Sequence, residues 1–279
     1  MSNIDLSVIG KKTAPCDFEY TWKDVVLYAL GVGASAKELS YVYENAAGGL
    51  KVLPSFCVVP AIRAFPDLGK DVEWSRMLHG EMRICLARPM PTDGKTIQVG
   101  EVTNIFDKGK GAVYHIRITG ETIDGSHLYD VDWVIYYVGA GGFGGDPGPR
   151  AEPIDPPHGA SPDFSISYKV AENQAALYRL SGDLNPLHLD PEAAKRGGFD
   201  KPILHGLCTY GFATRSIVNA LLDGDVTRLI EFKARFSDVV YPGDTLTTRG
   251  WKTDGGYIIQ VNTERAVVIR NAMAIVIGV

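Results

Sequence analysis

Asp183 and His188 stand five residues apart in Leu180-Ser-Gly-Asp-Leu-Asn-Pro-Leu-His188, and Pro202-Ile-Leu-His-Gly206 follows soon after. On a helix that spacing would turn the acid and the imidazole to different faces. Ser181, Gly182, Asn185 and Pro186 instead predict a turn, from which both side chains can enter one pocket. A carboxylate beside an imidazole can hold a water and move its proton near neutral pH. The same residues also suit a structural turn, because Asp and Asn cap turns and a lone histidine is often just a satisfied polar group. On spacing alone both readings stay open.

Pro202 and the two apolar residues after it place Gly206 in the first turn of a helix. Its unpaired N–H could there meet negative charge developing on a substrate oxygen, aided by the helix dipole. Close packing at the helix start is the alternative. His188-x-Asp190 with His205-x-x-Cys208 has ligand types that suit zinc, but the order fits no usual spacing and no metal is expected. Gly139-x-Gly141-x-x-Gly144 matches the dinucleotide fingerprint formally. Asp146-Pro-Gly-Pro follows it where a helix is required, so that reading is rejected. Ser126 and Tyr178 have no base at nucleophile spacing and no G-x-S-x-G elbow is present, which argues against an acyl-enzyme. Asp107-Lys-Gly-Lys-Gly111 reads, as residues alone, as a solvated hairpin tip.

The elements that must position these groups form two similar units. Leu27-Tyr-Ala-Leu30 recurs as Leu177-Tyr-Arg-Leu180, Val52-Leu53 as Ile203-Leu204, and Gly94-Lys-Thr-Ile97 as Gly243-Asp-Thr-Leu246, at offsets of 150, 151 and 149. Three ordered matches at one offset indicate a duplication. At that offset Asp183 faces Gly33, His188 faces about Glu38, and His205-Gly206 faces Pro54-Ser55, so only the second copy keeps the acid–imidazole pair. Residues 1–145 are expected to form the first unit and residues 163–279 the second. The Gly/Pro-rich stretch 146–162 is expected to be a linker with few regular contacts.

In the second unit a short helix over Ala171–Leu180 precedes a longer one that starts after Pro202 and stops at Gly224. Alternation from Ile230 to Phe236, the turn Tyr241-Pro-Gly-Asp244 and the hairpin signal Asp254-Gly-Gly256 predict antiparallel strands running to Val276. The first unit shows the same order, with helices at Lys23–Leu30 and Leu53–Ala64 and then strands to Val138. This is an α+β layout in which a sheet wraps a helix.

With 279 residues, 45% of them hydrophobic and 22% charged, the chain can bury a large core. A net charge of −5 argues against a nucleic-acid partner. Cys16, Cys57, Cys85 and Cys208 form no C-x-x-C pair, and reduced thiols are expected. The start shows no secretory pattern, no apolar run spans a bilayer, and the end is not a Ser-Lys-Leu address. A cytoplasmic protein is expected, or a peroxisomal one if the source is eukaryotic.

Tyr178-Arg-Leu-Ser-Gly-Asp-Leu-Asn-Pro-Leu-His-Leu-Asp-Pro191 and Gly198-Phe-Asp-Lys-Pro-Ile-Leu-His-Gly-Leu-Cys-Thr209 resemble the MaoC-like (R)-specific 2-enoyl-CoA hydratases. This hydratase 2 family includes the hydratase unit of peroxisomal multifunctional enzyme type 2. Tyr28-Ala-Leu-Gly-Val-Gly-Ala34, Leu78-His-Gly-Glu81, Asp107-Lys-Gly109 and Gly141-Gly-Phe-Gly-Gly145 resemble its first half. The resemblance implies a double hot-dog fold, a catalytic second half and a reduced first half with room for an acyl chain. It implies a hydro-lyase that converts trans-2-enoyl-CoA reversibly to (3R)-3-hydroxyacyl-CoA in fatty-acyl metabolism.

By the same likeness Asp183 and His188 hold the water, Asn185 orients them and the Gly206 N–H binds the thioester oxygen. His79, Gly80, Lys108, Leu184, Pro186, Leu187 and Phe236 match substrate-contacting positions, which moves Lys108 from hairpin tip to phosphate contact. No metal or redox cofactor is implied, CoA enters with the substrate, and a homodimer is expected. A hot-dog acyl-CoA thioesterase and a non-catalytic acyl-CoA binding protein are the alternatives.

Overall fold

The computed structural model describes residues 4–70, 72–150 and 152–278. The first three residues and Val279, used above for targeting, lie outside the described residues. The first unit opens with β1 (Cys16–Tyr20), α1 (Trp22–Gly31) and the single turn α2 (Leu39–Val42). Thr21 and Asp24 start α1 with a reciprocal capping box, Thr21 N–H reaching the Asp24 carboxylate at 2.8 Å.

The helix expected over Leu53–Ala64 is broken into a 3₁₀ turn at Pro54–Cys57, α3 (Val58–Ala61) and another 3₁₀ turn at Ile62–Ala64. Pro60 lacks the N–H that a longer helix needs, and Pro66 holds Phe65 in extended backbone (φ −61°, ψ 124°). The remnant lies hard against the sheet: a Cβ on Gly100 would sit 2.0 Å from the Ala64 carbonyl oxygen. Strands β2 (Met77–Leu86), β3 (Gly94–Asp107), β4 (Gly111–Thr122) and β5 (His127–Val138) complete the unit.

Between Val138 and Phe164 no helix or strand occurs among the described residues. The second unit repeats the order with β6 (Phe164–Lys169), α4 (Gln174–Tyr178), α5 (Pro191–Arg196) and α6 (Gly206–Leu221). Four strands follow: β7 (Leu229–Phe236), β8 (Thr245–Thr253), β9 (Gly256–Asn262) and β10 (Val267–Val276). α6 contains no proline and runs 16 residues, buried from Leu207 to Val218 on every face. A helix that is wrapped all round must be apolar or internally satisfied all round. Thr214 and Ser216 meet that demand by donating to the carbonyls of Tyr210 and Phe212 at 2.9 and 2.8 Å. Gly224, at φ +75°, ends the segment by donating to Val218 O.

All ten strands form one antiparallel sheet in the order β1-β3-β4-β5-β2-β7-β10-β9-β8-β6. Read from either edge, the two units present the same strand order. They meet along β2 and β7, with Glu81 opposite Arg235 and Ile84 opposite Phe232. Each unit alone would leave that strand edge unpaired, and the seam removes both edges. The helices join the units as well. Gln174 caps the end of α1 across the interface, its side-chain amide donating to Leu30 O and Gly31 O at 3.0 and 2.6 Å. The Cys208 thiol reaches the same Gly31 carbonyl at 3.2 Å.

The glycine stretch that leaves β5, ahead of the expected linker, is pinned to the β3–β4 tip. Asp107, at the tip between β3 and β4, accepts from the N–H groups of Gly109, Gly142 and Gly144 at 2.8, 2.8 and 2.9 Å. Those backbone donors hold its carboxyl below the usual carboxylate range. The rejected dinucleotide pattern thus does cradle an anion, and the anion is a side chain of the same chain.

Candidate active site

Asp183 lies just past a 3₁₀ turn at Arg179–Ser181, which ends at Gly182 with φ +121°. From there the chain makes two nested turns. The Asp183 carboxylate accepts from Asn185 N–H at 3.2 Å, and Asn185 Oδ1 accepts from Leu187 N–H at 3.1 Å. Asn185 caps a second 3₁₀ turn, Pro186–His188, with Pro186 at its first position. These turns bring Asp183 and His188 together, and His205 joins them: one side-chain ligand atom from each of the three lies within 4.8 Å of the other two.

His188 Nδ1 sits 2.9 Å from the carbonyl oxygen of Ile203. A carbonyl only accepts, so Nδ1 carries the proton and Nε2 of the neutral ring keeps its lone pair. Burial pushes the His188 pKa below its ordinary value of 6.5, while the Ile203 carbonyl and the Asp183 charge work the other way. The His188 ring is therefore neutral at neutral pH. His205 Nε2 faces the backbone carbonyl of Asp183 at 3.2 Å, and its ring stacks on His188 with centroids 3.8 Å apart.

Gly206 is the first residue of α6, with His205 in extended backbone before it (φ −56°, ψ 135°). Thr209 N–H closes the first turn onto His205 O, so the Gly206 N–H has no acceptor within the helix. Close packing does not account for the glycine, because the nearest atoms a Cβ would meet belong to the Phe236 ring, at an ordinary 3.6 Å. The Phe236 ring in turn contacts the His79 ring, with centroids 4.8 Å apart. His79 belongs to β2 of the first unit, immediately before a bulge at Gly80 that shifts the register against β5. Desolvation holds the His79 pKa down at about 4, against the opposing effects of the Glu81 carbonyl and the Asp183 charge. The seam between the units thereby brings His79 of the first unit to the candidate site of the second.

Leu187 is half-buried, whereas Leu184 and Pro186 are exposed and line an open hollow of about 260 Å³ with Arg179, Leu189 and Asp190. A second hollow of about 220 Å³ is lined by Leu180, Ser181 and Gly182 and by Phe18, Asp24, Leu27, Val59 and Arg63 of the first unit. It adjoins the broken helix through Val59 of α3. A hollow of about 360 Å³ on the outer sheet face is lined by Arg83, Arg117, Asp132, Glu81 and Lys233, whose charges pair with neighbours on the same face.

Lys108 is not joined to the acid–imidazole pair by any contact among the described residues. Its ammonium bonds the carbonyl oxygens of Pro147 and Pro149 and lies over the Phe106 ring. The quartet weighed for zinc is not assembled. Asp190 caps α5 through Glu192 N–H, and Cys208 faces Gly31. The trio of Asp183, His188 and His205 offers a different donor set, with two of its four ring nitrogens already facing carbonyls. The sequence weighs His205 only as the neighbour of Gly206 and as a ligand in the rejected zinc quartet, and does not show its contacts with Asp183 and His188. The signal available was its place at the start of the long helix, next to the presumed donor.

Residues 18–139 match the MFE-2 hydratase 2 N-terminal domain, and residues 153–274 match the MaoC like domain. The chain is 38% identical over 280 residues to a probable enoyl-CoA hydratase 2 of Dictyostelium discoideum, an alignment covering 96% of this chain and 95% of that one. It is 42% identical over 270 residues to enoyl-CoA hydratase ChsH3 of Mycobacterium tuberculosis, covering 92% of each. Among solved structures, a MaoC-like dehydratase from Phytophthora capsici matches with a TM-score of 0.89 at 30% identity, over 98% of this chain and 97% of that one. Two family matches in tandem, one on each unit, and likeness to relatives along nearly its full length mean that this chain belongs to the MaoC-like hydratase 2 family, on a double hot-dog fold.

Proposed function

We propose that the protein is a hydro-lyase that adds water reversibly to trans-2-enoyl-CoA, giving (3R)-3-hydroxyacyl-CoA in fatty-acyl metabolism. The observation that carries this reading is the convergence of a carboxylate, a neutral imidazole and an unpaired helix N–H beside the Phe236 ring. The names of the relatives supply the substrate class.

Water held between Asp183 and His188 Nε2 attacks C3 of the enoyl group. His188 Nε2 takes one proton from it, and the acid–imidazole pair returns one proton to C2, so the enzyme is regenerated. Charge moves onto the thioester oxygen as the C3–O bond forms, and the Gly206 N–H then binds that oxygen more strongly than in the ground state. The neutral state of His188 suits this role, since a protonated ring could not accept. Asn185 supports the pair through the nested turns. His79, Gly80 and Phe236 flank the thioester, Leu184, Pro186 and Leu187 line its approach, and Lys108 meets a CoA phosphate once released from the Pro147 and Pro149 carbonyls. The cavity beside the broken helix takes the acyl chain. The scheme needs no metal or redox cofactor, and CoA enters with the substrate. A homodimer acting in the cytoplasm completes the proposal. No helix among the described residues is long and apolar enough to cross a membrane.

The test is loss of enoyl absorbance with trans-2-enoyl-CoA substrates of several chain lengths, followed by chiral analysis of the product. A (3R) alcohol is expected. An (S) product, or release of free CoA thiol without hydration, would overturn the reading, the latter in favour of a thioesterase.

A further inference from the structure

We propose that His205 is the positioning residue that locks the acid and the base of this site into one arrangement. Three attachments converge on it. Its Nε2 faces the backbone carbonyl of Asp183 at 3.2 Å, and because the carbonyl only accepts, Nε2 carries the proton. Its ring stacks on His188 at 3.8 Å between centroids, with 30° between the planes. It also occupies the N-cap position of α6, without a side-chain capping bond, and is linked through its peptide bond to Gly206, whose N–H has no acceptor within the helix. The acid's backbone, the base's ring and the oxyanion donor are thus all fastened to one side chain or its peptide bond.

The base is held from a second side by the same stretch of chain. His188 Nδ1 bonds Ile203 O, two residues before His205. With the ring stacked on His205 and its edge tied to Ile203, rotation of the imidazole would break one contact or the other. Tyr178 packs against His205 as well, with centroids 5.0 Å apart.

Packing alone would not select histidine here. The His205 Nδ1 is buried and has no hydrogen-bond partner, a cost that leucine or phenylalanine would not carry. The imidazole is kept for the single N–H that it donates to Asp183 O. Burial and the adjacent His188 push its pKa down to about 3, so it donates without placing a cation against the base. His205 therefore acts through Asp183 and His188 and need not touch the substrate.

This inference rests on the hydration reading, and the experiment separates the two. The hydratase assay on the wild-type chain is followed by the same assay on His205→Leu, His205→Asn and His205→Gln, with thermal unfolding as the control for fold. Glutamine can carry an N–H to about the position of Nε2, whereas asparagine is too short and leucine has no donor. Misplacing a reacting group by 1 Å can cost about 10²-fold, so Leu and Asn are expected to lower kcat by about 10- to 100-fold with KM within about twofold of wild type. Gln is expected to recover much of the loss. Wild-type kcat in His205→Leu would overturn the inference, as would Gln no better than Asn. If His205→Leu fails to fold, the comparison of Gln with Asn decides. If wild type hydrates no enoyl-CoA, the functional reading fails before any variant is compared.

Discussion

The two units carry the same turn at corresponding positions and treat it in opposite ways. In the first unit, Glu38 occupies the place of His188 and is saturated with partners. It accepts from Arg215 Nη1 at 2.7 and 2.8 Å, from Ser35 N–H at 2.9 Å and from Asn219 Nδ2 at 2.9 Å. Burial alone would raise the Glu38 pKa, but Arg215 and the other donors bring it below the usual value. Gly33, in the place of Asp183, has no side chain, and a Cβ there would strike the Phe212 ring at 2.3 Å. In the second unit the Asp183 carboxylate has one backbone donor, and no hydrogen bond among the described residues reaches His188 Nε2. The scaffold therefore closes the first-unit turn in an ionic lock with Arg215 of α6 and leaves the matching acid and imidazole of the second-unit turn open. What distinguishes the second-unit turn is the hydrogen-bonding capacity it leaves unused.

This contrast predicts that substitutions in the second unit change rate, while matching ones in the first change stability. Asp183→Ala and His188→Ala should each lower kcat by about 10²- to 10⁴-fold, the usual range for general acid–base groups. Both variants should unfold near the wild-type temperature. Two single variants at wild-type rate would remove the pair from the mechanism.

Gly206→Pro comes next. Proline is favoured at the first helical position, and His205 already has the extended backbone that a following proline requires, so the fold should hold. Only the N–H is lost, and kcat should fall by about 10²- to 10³-fold. Gly206→Ala, which keeps the N–H, should cost far less, and steady-state kinetics on the two variants would separate donor loss from crowding.

Glu38→Gln should leave kcat within about twofold but lower stability by about 3 kcal/mol, because it strips the counter-charge from a fully buried Arg215. That figure is the low end for a broken buried pair, since the Glu38 side chain keeps 20% exposure. Denaturant unfolding reads it directly. A large kcat loss with unchanged stability would contradict the division of labour.

The broadest effect concerns pH. His79 and His205 have folded pKa values of about 4 and about 3, below the ordinary 6.5. For groups depressed on folding, the stabilisation is complete above 6.5 and is lost as pH falls toward 3 to 4. Glu38 is also depressed, so its contribution is lost only as pH falls below the carboxylate range near 4.5. Acid titration should therefore weaken the second-unit site first. Urea midpoints measured from pH 8 to pH 4 should begin to fall near pH 6.5, and a flat response to pH 5 would contradict it.

Local signals made much of this readable in the chain. The turn around Asp183 was legible because Ser-Gly and Asn-Pro have few backbone options, and α6 was legible from its uninterrupted apolar pattern. The duplication was visible as repeated words, and the sheet repeats it as matching strand order. The helix predicted over Leu53–Ala64 is broken in the fold. Pro60 and Pro66 were in view, but how far the segment would collapse depended on the approach of Gly100 to Ala64 O. The Asp107 cradle was hidden because a glycine pattern announces free N–H groups without saying which anion will occupy them.

Contacts between residues far apart in sequence were not legible at all. Arg215 and Glu38 are 177 residues apart, and His205 and Asp183 are 22 apart. Neither pair shares a period that a pattern could reveal. From the residues alone came the chemistry on offer, the element types and the fact of two copies, because side-chain type and local backbone preference are properties of short segments. The folded chain decided which polar groups were satisfied and which were left open. Satisfaction depends on neighbours supplied by other elements across the β2–β7 seam and around α6, and at this site it separates a carboxylate locked to an arginine from one that can hold a water.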